Sequence, residues 1–171
     1  MDKIYICIKN KDDITIKDDT NYYSFKDETK KAYTLLSNML DKLGIKFNIN
    51  SIKYKDNGKP YIINSDIKFN YSHSKNYIAC VVSNVEVGID IEDIFNISNS
   101  ARCSYLNNID SNYRLAWVKK EAYCKLLGDF DDEFFKKLDI NKIECNSYII
   151  SDDKYDCIVY YEGDKKDIGY I

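Results

Sequence analysis

Several things are scarce in this chain. One proline and six glycines among 171 residues leave no room for Pro- or Gly-rich linkers, collagen-like repeats or propeller patterns. His73 is the single histidine, which excludes a multi-histidine metal centre. Six cysteines (Cys7, Cys80, Cys103, Cys124, Cys145, Cys157) are scattered and form no CxxC pair, so neither a structural zinc nor a thioredoxin-like site is expected. The longest apolar stretch, Tyr77–Val82, is far short of a membrane-spanning helix. The start, Met1-Asp2-Lys3-Ile4, lacks the apolar region of a signal peptide. A cytoplasmic protein with reduced thiols and no membrane partner is therefore expected.

What remains is enough for one ordinary globular unit. A mass of 20.0 kDa implies about 70% of the unfolded surface buried on folding, a real core without staples. The net charge of −3 hides an asymmetry: residues 1–85 carry +4 and residues 86–171 carry −7. No basic stripe runs through the chain, so nucleic acid is not an expected partner. One half could receive an anion and the other a cation; chance is the plainer alternative, since charge runs are usually solvated surface.

Lys3–Lys9 alternates with period two and predicts a strand. Ala32, Leu35, Leu36, Met39, Leu40 and Leu43 form the stripe of an amphipathic helix, with Asp27 and Glu28 at its positive end and Gly44 as its stop. Short strands follow at Ile52–Tyr54, Tyr61–Ile63 and Lys68–Tyr71, the first two around an Asp56-Asn57-Gly58 turn. Tyr77–Ser83 and Glu86–Ile91 read as a hairpin of buried strands. A second helix runs from about Ser111 to Leu127, capped by Asp110 or Ser111 and ended by Gly128. Tyr148–Ile150 and Cys157–Tyr161 again look like strands. The fold class is α+β: strand, helix and strands occur twice, consistent with two similar halves meeting near residue 85.

Chemistry concentrates in four runs. In Gly88-Ile89-Asp90-Ile91-Glu92, strand alternation puts Asp90 and Glu92 on one face, about 6.6 Å apart, and the isoleucines on the other. Two such carboxylates repel unless a cation intervenes; the alternative is a solvated edge strand. In Trp117–Lys125, Trp117, Glu121 and Lys125 share one helix face. A Glu–Lys pair at this spacing is commonly a solvated salt bridge, but the tryptophan marks a face that packs inward. Phe69-Asn70-Tyr71-Ser72-His73-Ser74 ends a strand in a turn able to hold a phosphate, or is simply a turn carrying a histidine; adjacent Ser-His-Ser cannot form a hydrolase triad. Gly58-Lys59-Pro60 is a turn that projects a lysine.

In this order the four runs resemble the 4′-phosphopantetheinyl transferases of the surfactin-type branch, which carry a GKP turn, FNxSHS, GIDIE and WxxKEAxxK; the resemblance covers about residues 22–128. It implies transfer of the phosphopantetheine arm of coenzyme A to a serine of an apo acyl or peptidyl carrier protein, releasing 3′,5′-ADP. It implies two similar strand-helix-strands lobes, 1–85 and 86–171, packed as a monomeric pseudo-dimer with the active site in the cleft between them. Asp90, Glu92 and Glu121 would hold Mg²⁺, with Mn²⁺ as a substitute, against the pyrophosphate. Glu121 would take the serine proton and Lys125 would neutralise the phosphates, with Asp90 essential beside them. His73, with Ser72 nearby, would contact the 3′-phosphate; Lys59 would lie on the adenine side; Thr34, Lys30 and Lys31 sit where the family places further 3′-phosphate contacts. Lys119 and Lys120 would attract the acidic carrier.

The chain departs from the family in three places. Tyr33 stands where an arginine is usual beside Thr34. The segment between Glu92 and Trp117 is short, with Arg102–Leu106 as the remnant of a carrier-receiving element. The chain ends at Ile171, where a further apolar strand is usual, so a reduced last sheet is expected. Two other functions fit the same residues: a metal-dependent phosphohydrolase, and a catalytically weak protein that binds coenzyme A or docks carriers.

Overall fold

The computed structural model describes residues 1–16, 25–94, 98–106 and 112–171. It is a mixed α+β structure with two stacked sheets and a helix on the outside of each. β1 (Lys3–Asn10) lies centrally in a four-stranded sheet, antiparallel to β5 (Tyr77–Ser83), which in turn pairs with β4 (Lys68–His73). The second sheet has β8 (Tyr155–Tyr161) between β6 (Val87–Asp93) and β7 (Asn146–Ser151). A separate ribbon pairs β2 (Ile52–Tyr54) with β3 (Pro60–Ile62) around the expected turn.

Burial follows strand alternation. Ile4, Ile6, Ala79 and Val81 leave one face of the first sheet to meet Val87, Ile89, Ile91, Cys157 and Val159 of the second. Cys7, Cys80 and Val82 point the other way, onto Leu36, Met39 and Leu40 of α1 (Asp27–Lys42). Val118, Ala122 and Leu126 of α3 (Tyr113–Leu127) cover Ile158 and Tyr160 on the far face of the second sheet. The result is a helix–sheet–sheet–helix layering, and it explains why β5 is apolar on both faces and why most of β6, Asp90 included, is buried. Two shorter helices, α2 (Asn99–Tyr105) and α4 (Asp132–Lys137), flank α3. Among the described residues, no helix is long and apolar enough to cross a membrane.

Both long helices stop as expected, with Gly44 and Gly128 in the left-handed region at φ 71° and 73°. Two expectations are corrected. Tyr77–Ser83 and Glu86–Ile91 are not a hairpin: β5 belongs to the first sheet and β6 to the second. The pattern of apolar residues predicts that both strands are buried but not which strand each pairs with, and the short link carries the chain from one layer to the next. The second helix begins at Tyr113, with the side chain of Asn112 accepting a hydrogen bond from Leu115 N; Asp110 and Ser111 lie outside the described residues. The last sheet has three strands, and the final strand of the chain does not join it. β9 (Asp167–Tyr170) crosses back and pairs in parallel with β1, giving the first sheet its fourth strand.

Candidate active site

The site is built where β6 meets α3. Ile89 and Ile91 anchor β6 between the sheets, so Gly88, Asp90 and Glu92 face the other way. Gly88 is needed for the approach itself. A Cβ there would lie 2.2 Å from Leu126 N and 2.3 Å from the Ala122 carbonyl oxygen, inside the helix backbone. With no side chain at Gly88, α3 settles directly on the strand and brings Glu121 and Lys125 to Asp90 and Glu92.

Asp90 is buried and is the hub of the cluster. Its Oδ1 accepts from Lys125 Nζ at 2.6 Å and from Ser72 Oγ at 2.7 Å, while Lys125 also donates to Ser72 Oγ at 2.7 Å. Lys125 Nζ lies 4.0 Å from Glu121 Oε2. Trp117 Nε1 donates to the other oxygen, Glu121 Oε1, at 2.7 Å. Carboxylate oxygens of Asp90, Glu92 and Glu121 all come within 4.8 Å of one another.

Three acids face one lysine, and the imbalance shows in their proton affinities. Burial, then repulsion from Asp90 and Glu121, pushes Glu92 up to about 7. Burial, then Asp90, pushes Glu121 to about 7 as well. Burial alone would lower Lys125, but the charges of Asp90 and Glu121 outweigh it and its pKa is raised. The buried Oδ2 of Asp90 has no hydrogen-bond partner among the described residues, an expensive state that a cation would relieve. A donor set of hard carboxylate oxygens with no sulfur or imidazole suits Mg²⁺ or Mn²⁺.

These groups line a cleft of about 340 Å³ with the Gly58–Pro60 turn, the end of β4 and Phe130. All four sequence runs therefore converge on one cavity. The predicted residues are not all placed as expected within it. Lys59 does not project: it is buried, and its ammonium donates to Glu86 at 2.8 Å and to the Leu126 carbonyl at 2.7 Å, tying the turn to the end of α3. Ser72 and His73 point to opposite faces of β4, as alternation requires; Ser72 bridges Asp90 and Lys125, and His73 is exposed at the rim. Burial, then Lys11, holds His73 below its ordinary pKa.

Thr34, Lys30 and Lys31 lie on α1 and do not line the cleft. Thr34 is buried, Lys30 pairs with Asp27 at 3.1 Å, and Lys31 donates to the Lys11 carbonyl at 2.7 Å. Lys120 is buried too, not a surface charge. Arg102–Tyr105 belong to α2. Sequence reading missed the bridging role of Ser72, Asn70 Oδ1 accepting from Ile89 N at 3.4 Å, and Phe130 on the cleft wall. Alternation along β4 already places Asn70 and Ser72 on one face and could have shown the first two.

The fold and site thus define an α+β protein with a carboxylate-lined cleft suited to a divalent cation. No protein-family model matches the chain. Its sequence is 30% identical over 118 residues to the 4′-phosphopantetheinyl transferase gsp of Aneurinibacillus migulanus, covering 61% of this chain and 49% of that protein. The chain spans about half the length of this curated relative.

Proposed function

We propose that this protein is a phosphopantetheinyl transferase of the surfactin-type branch, moving the 4′-phosphopantetheine arm of coenzyme A to a serine of an acyl or peptidyl carrier protein. The observation that carries the reading is the meeting of Asp90, Glu92, Glu121 and Lys125 in one cleft with the GKP and SHS runs on its walls. The similarity to a protein bearing that name supports it. In this reading residues 1–85 and 86–171 form two lobes of a pseudo-dimer, with β9 crossing back onto the first.

Asp90, Glu92 and Glu121 would hold Mg²⁺ or Mn²⁺, which when bound supplies positive charge to pyrophosphate oxygens. The remaining work falls to the chain. Glu121 takes the proton of the acceptor serine directly or through water. The serine oxygen bonds to the phosphorus that carries the pantetheine arm; the bond from that phosphorus to the 3′,5′-ADP oxygen breaks. Lys125, steadied by Asp90 and Ser72, faces the charge that develops on the leaving phosphate. His73 at the rim has Lys11 near it, itself paired with Glu28 at 3.7 Å, and Lys31 reaches the Lys11 carbonyl; these are the cations on offer to the 3′-phosphate.

The test is incubation with fluorescent coenzyme A and a panel of apo carrier proteins, read as label and mass gained by the carrier. Glu121→Gln abolishes transfer if the assignment is right. Normal transfer by that variant removes Glu121 from the mechanism, and release of free phosphopantetheine without an acceptor replaces the reading with hydrolysis.

A further inference from the structure

Lys120 precedes Glu121 on α3 but points away from the acids. Its buried ammonium donates to the carbonyl oxygens of Tyr105 at 2.6 Å, Phe135 at 2.8 Å and Lys136 at 3.3 Å. It also lies 5.5 Å from the centre of the Phe135 ring. These partners are carbonyls, none a carboxylate, and together they match the three donors of an ammonium. A charge this deep is tolerated only when fully hydrogen-bonded. Tyr105 ends α2, and Phe135 and Lys136 lie in the last turn of α4, where helix carbonyls lack partners of their own. One side chain of α3 therefore satisfies the ends of both short helices.

The residues so held are the ones that clamp the indole. The Tyr105 and Phe135 rings pack edge-on against Trp117 with centroids 5.8 and 5.3 Å away. Trp117 in turn hydrogen-bonds Glu121. We propose that Lys120 is a positioning residue for Glu121: its ammonium fixes the main chain of Tyr105 and Phe135, their rings fix the Trp117 indole, and the indole N–H fixes the carboxylate. The inference rests on the reading of Glu121 as part of a cation-binding acid cluster.

Trp117 is the single tryptophan of the chain, so its fluorescence reports the clamp directly. Lys120→Met keeps the length of the side chain and removes its donors. The expected result is a red-shifted emission, stronger quenching by acrylamide and about tenfold weaker Mn²⁺ binding, as when the hydrogen-bond partner of a metal ligand is lost. Trp117→Phe should weaken Mn²⁺ binding similarly, and the double variant should lose no more than either alone, because both act through one contact. Unchanged emission and quenching in Lys120→Met, or losses that multiply in the double variant, would overturn the proposal. Should Lys120→Met fail to fold, Tyr105→Leu removes one ring while leaving the buried ammonium and its main-chain partner; an unmoved emission there overturns it equally. None of these measurements uses coenzyme A or an acceptor, so failure of the transferase reading is distinguishable. If the unaltered protein takes up no Mn²⁺, the cation reading fails, and emission and quenching alone decide the role of Lys120.

Discussion

Gly88→Ala is the most direct probe of how the site is assembled. The added Cβ would sit 2.2 Å from Leu126 N, 2.3 Å from the Ala122 carbonyl oxygen and 2.7 Å from Leu126 Cα. All three are main-chain atoms, so no side chain can swing aside. Restoring ordinary contact requires β6 and α3 to part by roughly 1 Å in a close-packed interior. Overpacking of this kind costs about 1–3 kcal/mol, which lowers the melting temperature of a protein this size by roughly 2–12 °C. The same movement separates Asp90 from Lys125, now 2.6 Å apart, and spreads the three acids. Metal affinity should therefore fall about tenfold, as at other sites whose supporting geometry is disturbed. Urea unfolding gives the first quantity and Mn²⁺ titration the second. A variant with an unchanged unfolding midpoint and unchanged Mn²⁺ affinity would refute the argument that this glycine sets the helix–strand distance.

Other consequences are as open to measurement. Glu92 and Glu121 have folded-state pKa values raised to about 7, so without metal the folded protein holds protons that the unfolded chain has released. Their contribution to stability therefore falls as pH rises from about 4.5 to 7. In EDTA, melting temperature should decline across that window, Glu92→Gln should flatten the decline, and Mg²⁺ should stabilise more at pH 8 than at pH 5; a protein indifferent to Mg²⁺ at pH 8 contradicts this. Lys59→Met leaves the Leu126 carbonyl without its partner and Glu86 with Lys55 at 3.4 Å, and should cost about 1–3 kcal/mol of stability in urea unfolding. An unchanged midpoint would show that this buried tie contributes nothing.

Local pattern determined a good deal by itself. The stripe from Ala32 to Leu43 and the stop at Gly44 fixed α1, because side chains three and four apart share a face whatever surrounds them. Alternation in GIDIE put Asp90 and Glu92 on one side of a strand, and helical spacing put Trp117, Glu121 and Lys125 in line. Distance along the chain hid the rest. Periodicity does not say which strand lies beside which, so the separation of β5 from β6 and the return of β9 to β1 were settled by layering of sheets and helices. Nor does it say where a long flexible side chain ends. Lys59 and Lys120 look like surface charges in sequence, but carbonyls and a carboxylate from distant segments surround them. Those partners exist only once the tertiary packing has formed, and that packing also brings 72, 90, 121 and 125 into one cluster.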